Sequence, residues 1–284
     1  MREAIFLIQC TDRKGLLAEI SAFFYGKSFN ILQCRQYTDI EENRYFMRIR
    51  LDLSDMAITR AALESDFAGF AAKLKLDYSI HYREDLQKVA ILVSKTSHCL
   101  YDLLTLREEG DLECEIPLVI SNHPDLETVA AKYRVPFYCF PMHPGRKSEQ
   151  EKQILDLLGR HHIDLVVMAR YMQILSDDFI GHYPQRIINI HHAFLPAFQG
   201  GNPYFRAWER GVKMIGATAH YATAELDEGP IIEQDVERIT HENSPDELKQ
   251  LGKEIERRVL SRAVKAHLER RIMTSGRRTI VFSR

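Results

Sequence analysis

A chain of 284 residues with 45% apolar side chains has the length of roughly two domains and enough apolar surface to bury a core in each. Lysine and arginine number 38 against 40 aspartate and glutamate, a net charge of −2, so no basic surplus points to nucleic acid or an anionic membrane. The apolar run at the amino terminus is too short for a signal h-region, and no run long enough to span a membrane follows, so a cytoplasmic protein is expected. The five cysteines are scattered without a CxxC pair and sit mostly in apolar runs, which predicts buried, reduced thiols.

The first 84 residues alternate two periodicities. EAIFLIQC reads as a strand, LLAEISAFFYGK as a helix and NILQCRQYTD as a strand. After the turn EEN, RYFMRIRLDL reads as a strand, ITRAALESDFAGFAAKLK as a helix and LDYSIHYRE as a last strand. This order, β-α-β-β-α-β, predicts a small ferredoxin-like α+β domain. In RYFMRIRLDL, Tyr45, Met47, Ile49 and Leu51 alternate with charged neighbours, which predicts a sheet covered by helices on one face only. In the first turn, CTDRKGLLAEI, Asp12 is placed to cap the helix and Gly15 to let the backbone approach a ligand.

The turn, with Asn30 just before the second strand, resembles the ligand loop of the ACT family, small regulatory domains that commonly bind amino acids. Residues 1–84 are accordingly read as an ACT-like regulatory domain. Asp12, Gly15 and Asn30 are its implied effector-binding residues.

At REDLQK the apolar pattern lapses, and residues 85–284 are read as a second domain. KVAILVSK, ECEIPLVISN, PFYCFPM and IDLVVMAR read as strands separated by helical stretches, which predicts an α/β domain with a parallel sheet buried on both faces. Ligands on such sheets sit beyond the carboxyl ends of the strands. The strand IINIHH carries Asn189 and His191 on one face, while Ile188, Ile190 and His192 alternate to the other. Pro196 is expected to stop the ladder, and Gly200 and Gly201 to let the chain turn away before a helix near Pro203. Further on, a strand with Thr218 and His220 leads into the loop LDEGP, where Asp227 precedes a Gly-Pro turn. An acid brought next to His191 completes an Asn, His, Asp set. Adjacent His191 and His192 on opposite faces, without an HxxxH or a cysteine pair, predict no metal site.

NIHHAFLPAF together with GATAHYATAELDEGPII resembles the folate-dependent formyltransferases, over roughly residues 88–284. The fold this implies is a Rossmann-like formyltransferase domain. With an ACT-like domain before it, the whole chain is similar to the formyltetrahydrofolate deformylases, which hydrolyse 10-formyltetrahydrofolate to formate and tetrahydrofolate and supply formate for purine synthesis. The resemblance implies catalytic roles for Asn189, His191 and Asp227, with His220 and Thr218 fixing the carboxylate. It places the folate along Met172, Gln173, Ile174 and Leu175, and implies no permanently bound cofactor. Gln173 stands where relatives often carry arginine, and Phe205 where similar deformylases often show histidine. Methionine and glycine are the implied effectors, and a homo-oligomer the implied assembly.

Water and an amine are both chemically competent nucleophiles for this reaction. No glycine lies between Ile91 and Gly110, where transferases acting on a phosphorylated amine have a glycine-rich phosphate loop, and this favours water. Formyl transfer to an amine and a non-catalytic folate or amino-acid sensor are the alternatives. SPDELKQLGKEIERRVLSRAVKAHLERRIM predicts one long packing helix, with Ser244 and Glu247 as its capping pair, and RRTIVF a final strand.

Overall fold

The computed structural model describes residues 2–195 and 203–283. Pro196, Gly200 and Gly201 lie outside the described residues. Contacts divide the chain into two units, one of Met1–Leu86 with Arg270–Met273 and Ile280–Arg284, the other of Gln87–Glu269 with Thr274–Thr279. A single boundary at residues 84 and 85 does not account for the carboxy-terminal residues, part of which belong to the first unit. No described helix is long and apolar enough to cross a membrane.

In the first unit the order is β1 (Glu3–Thr11), α1 (Leu16–Gly26), β2 (Asn30–Asp39), β3 (Arg44–Asp52), α2 (Arg60–Leu74) and β4 (Asp77–Tyr82). The strands form one antiparallel sheet in the order β2-β3-β1-β4. The alternation of β3 sends Tyr45, Met47, Ile49 and Leu51 into a core with Ile20 and Phe24 of α1 and Leu63 and Phe67 of α2. Phe6 of β1 meets Phe24 and Phe67 edge-on, with ring centroids 4.9 and 4.8 Å away.

The helices cover one face only, as expected, and the opposite face is covered by carboxy-terminal residues instead. Leu7 and Phe46 are covered there by Met273 and Phe282. Arg48 is buried on β3 and satisfied by Gln33 Oε1 at 2.7 Å and the Arg270 carbonyl at 2.9 Å. Asp12 does not cap α1: Gly15, at φ 92, is the residue before the helix, and no side chain bonds its first amides. α2 has the side-chain cap that α1 lacks, with Thr59 Oγ1 accepting from the Ala62 amide.

The second unit contains β5 (Gln87–Val93), α3 (His98–Glu108), β6 (Cys114–Ser121), α4 (Glu127–Lys132), β7 (Phe137–Cys139), α5 (Lys147–Arg160), β8 (Leu165–Met168), α6 (Asp177–His182), β9 (Ile187–His191), α7 (Pro203–Arg210), β10 (Met214–Tyr221), β11 (Ile231–Arg238) and α8 (Pro245–Leu268). Its seven-stranded sheet runs β11-β10-β9-β8-β5-β6-β7. β5 to β9 are parallel, as their continuous apolar runs predict. β10 and β11 run antiparallel, so the sheet is parallel over β5 to β9 and mixed at this edge.

Ile154, Leu157 and Leu158 of α5 and Phe179 of α6 close one face over Ala90, Leu92, Val166 and Met168. α8 packs along β9, β10 and β11 and begins with the expected capping box between Ser244 and Glu247. In place of one final strand, β12 (Ile272–Ser275) and β13 (Arg278–Val281) form a two-stranded hairpin. The five cysteines are free thiols; Cys10, Cys99 and Cys114 are buried, Cys34 is half-buried and Cys139 is exposed.

Candidate active site

The strand register brings the site together. β9 and β10 pair so that His220 lies opposite Asn189, and Thr218 opposite His191. Asn189 Nδ2 is 3.2 Å from His220 Nε2 across this pair. His220 Nδ1 donates to the Tyr221 carbonyl at 3.0 Å, so Nε2 is the ring atom turned to the site.

After β10 the chain folds back over the same strands. The Tyr221 amide donates to the Pro230 carbonyl at 3.0 Å, and Gly229 lies so close that a Cβ there would stand 1.7 Å from the Tyr221 oxygen. Glycine is therefore required for the return. The reversal carries Asp227, at φ 58, to the two histidines. Its Oδ2 is 3.1 Å from His191 Nδ1, and its Oδ1 is 3.5 Å from His220 Nε2.

Burial opposes ionisation of Asp227, but the contacts from His191 and His220 outweigh it and hold the carboxyl well below the ordinary carboxylate range. A carboxyl more acidic folded than unfolded stabilises the folded chain above the unfolded value of about 3.9, and loses that contribution as pH falls through the folded value. Melting temperature measured against pH should fall through this acid range in the wild type, and Asp227→Asn should remove that component. His191 Nε2 is the counterpart of this anchoring. It is buried, has no hydrogen-bond partner among the described residues, and belongs to a ring that lines the cavity.

The cavity measures about 640 Å³. Asn189, His191, His220 and Asp227 line it, as do Met172, Gln173, Ile174 and Leu175. Thr218 does not line it, and it does not touch the carboxylate. Its hydroxyl donates to the Ala193 carbonyl at 2.9 Å and accepts from the Leu195 amide at 3.1 Å and Gln234 Nε2 at 2.9 Å. Lying opposite His191, it anchors the turn that leaves β9. Thr218→Val should cost about 1 to 3 kcal/mol of stability in denaturant unfolding, because it leaves buried partners unpaired.

His192 also departs from the expected alternation. β9 ends at His191, so period two no longer applies, and the two rings lie nearly parallel with centroids 5.1 Å apart. Phe205 is on the cavity wall, 44% exposed. Asp12 and Gly15 are separated from Asn30. β1 pairs with β3 from Glu3 opposite Asp52 to Thr11 opposite Arg44, while Asn30 pairs with Asp52, so Asn30 stands at the other end of the sheet. Eight strand steps make this roughly 26 Å.

Other cavity residues escape the sequence patterns. Glu256 of α8 is 1% exposed and takes bonds from His98 Nε2 at 2.7 Å and the Tyr204 hydroxyl at 2.6 Å, with Arg170 Nη1 at 3.5 Å. Burial opposes its charge, and His98 and Arg170 prevail, so the carboxyl is more acidic than usual. His98, Cys99 and Glu256 are grouped closely enough to hold a metal ion, but these donors already surround the carboxylate, and burial pushes the Cys99 thiol up. Arg170, at φ 66, is turned to Glu256. Ser94 braces the exit of β8, its hydroxyl donating to Asn122 Oδ1 at 2.6 Å and accepting from the Met172 amide at 3.0 Å. A glutamate on the buried stripe of α8, four residues after Gly252, is the one signal in the sequence that marks this cluster.

A mostly parallel α/β sheet carrying an Asn-x-His strand end and an Asp-x-Gly-Pro loop defines a formyltransferase-type fold, and residues 87–264 match the formyl transferase family. Over nearly its full length the chain is similar to curated proteins of narrower description. It is 48% identical over 280 residues to the formyltetrahydrofolate deformylase of Synechocystis sp., covering 99% of this chain and 98% of the relative. It is 46% identical over 278 residues to that of Bacillus subtilis, covering 98% and 93%. The crystal structure of a formyltetrahydrofolate deformylase from Pseudomonas syringae pv. tomato superposes with a TM-score of 0.97 at 38% identity, covering 100% of this chain and 95% of that one. The chain belongs to the formyltetrahydrofolate deformylase family.

Proposed function

We infer that the reaction of this enzyme, hydrolytic removal of the formyl group from 10-formyltetrahydrofolate, is carried by Asn189, His191 and Asp227. The observation that carries the assignment is the 3.1 Å contact between Asp227 and His191 Nδ1, which leaves the buried Nε2 unpaired on the cavity. The formyl group is an amide-like carbonyl, and attack on it places negative charge on its oxygen. Catalysis requires donors already positioned for that charge. His191 Nε2 is one donor, and an N–H of the Asn189 amide is the second. Asp227 holds the His191 ring and orients the attacking water. As the C–O bond forms, that oxygen becomes acidic, and Asp227 takes its proton and passes it to N10 as the C–N bond breaks. Formate and tetrahydrofolate result. The pterin lies against Met172 to Leu175, apolar and backbone groups at the exit of β8, as is usual for ligand pockets. In water enriched in heavy oxygen, the formate should carry one solvent oxygen. Formate without solvent oxygen would contradict direct attack by water.

The first unit fits an ACT-like regulatory domain, with methionine and glycine as the effectors and purine synthesis as the demand the released formate serves. Its register supports a site shared between two copies. β2 is an edge strand. Two-fold antiparallel pairing of β2 edges would bring Asn30 of a second copy to the Asp39 end of β2, beside which Thr11 leads into Asp12 and Gly15. The functional unit is then a homo-oligomer, and a ligand changes activity by its differential affinity for two states, worth about 1 to 3 kcal/mol. Gly15→Val forces a β-branched residue to φ 92 and should abolish the effector response while basal hydrolysis persists. Calorimetric titration with glycine and methionine beside activity checks this. Absence of both heat and rate change in the wild type would leave the unit an assembly role alone.

A further inference from the structure

The cavity lined by Asn189, His191 and Asp227 is lined also by His98, Arg170, Tyr204, Lys253 and Glu256. Tyr204 is seated in an unusual way. Its ring lies directly on the backbone of α8 at Gly252, where a Cβ would stand 2.1 Å from Cζ. Glycine inside a 24-residue helix gives up about 1 kcal/mol against alanine. The sequence accepts that cost at the one turn where it lets the Tyr204 hydroxyl donate to Glu256 at 2.6 Å. Glu256 is itself fixed by His98 and Arg170. The ring is thus clamped on a rigid helix by a buried carboxylate with three partners.

Attack by water does not by itself call for such a wall, since water enters any gap. A second substrate does need space. Met172 to Leu175 suit the pterin, and Tyr204 lines the same cavity as the three catalytic groups, where an amine acceptor would need room. In either reaction the C–N10 bond breaks and N10 gains a proton. With water a new C–O bond gives formate; with a primary amine a new C–N bond gives a formamide, and the amine supplies the proton. The same three catalytic groups serve both, so access to the carbon decides the product. We propose that Tyr204, seated on Gly252 and clamped by Glu256, is the specificity-determining wall that keeps primary amines from the formyl carbon and confines the reaction to water. The proposal rests on the hydrolase reading above.

The test is a partition measurement. Enzyme is incubated with 10-formyltetrahydrofolate and excess glycinamide, and formate and N-formylglycinamide are quantified by mass spectrometry, with 10-formyltetrahydrofolate binding measured on the same preparations. Wild type and Tyr204→Phe, which keeps the ring, should yield formate alone above the spontaneous background. Tyr204→Ala should raise the formamide-to-formate ratio by about tenfold or more. Tyr204→Leu, which keeps apolar packing while opening space near Glu256, should shift the ratio in the same direction and serves if the alanine variant does not fold. A folded Tyr204→Ala or Tyr204→Leu enzyme that binds the folate and still forms only formate would overturn the wall. So would a wild type that forms the formamide as readily as the variants. Loss of formate release by the wild type itself would instead refute the hydrolase reading.

Discussion

Asp227→Asn is expected to lower turnover of 10-formyltetrahydrofolate by about 10²- to 10⁴-fold, the range of a positioned acid-base group. The substitution keeps the shape of the side chain and removes its charge, so the loop held by Gly229 and Pro230 should stay in place. Two functions are lost together. The His191 ring loses the carboxylate 3.1 Å from Nδ1 that fixes its orientation, and the attacking water loses the proton acceptor proposed for it. The effect should appear in kcat with folate affinity unchanged. Equilibrium binding and steady-state kinetics on one preparation separate the two, and a near-wild-type kcat would remove Asp227 from the chemistry.

His191→Ala is expected to cost on the order of 10²-fold or more in kcat, as the loss of an oxyanion donor does. The unpaired buried Nε2 makes this the clearest single case, since no other described group uses that atom. Asn189→Ala should cost a similar factor, but for a group that also lies 3.2 Å from His220. Because the three groups act as a unit, a double replacement of Asn189 and His191 should cost less than the product of the single losses. Full additivity in a double-mutant cycle would show that they act independently.

Much of this was legible in the sequence because periodicity and turn chemistry are local. Period two in IINIH puts Asn189 and His191 on one face, and Gly229-Pro230 forces the reversal that returns Asp227 to them. Thr218 is placed by a longer-range effect. Nine residues before Asp227 it is close to the carboxylate in sequence, but β10 pairs antiparallel with β9, and that register turns its hydroxyl to the Ala193 and Leu195 backbone. Local pattern does not contain strand register. The same limit separated Asn30 from Gly15, which sequence order alone brings together.

The Glu256 cluster was hidden for a different reason. Its members come from α3, the exit of β8, α7 and α8, and only folding unites them. Reading α8 by its apolar residues picks out Leu248, Ile255 and Val259 and passes over the glutamate buried in the same stripe. The outer face of the first sheet carries no helix, as its alternation predicts, but it is covered all the same. Charged alternates such as Arg48 suggest solvent, but Arg48 is satisfied internally and Phe46 beside it is covered by the carboxy-terminal residues Met273 and Phe282.

The most direct test of the account is incubation of the purified chain with 10-formyltetrahydrofolate as sole substrate, following formate and tetrahydrofolate together. Both should appear in equal amounts with no amine present, and Asp227→Asn should bind the folate but release formate at least about a hundredfold more slowly. Formate that appears only when an amine is supplied would contradict it.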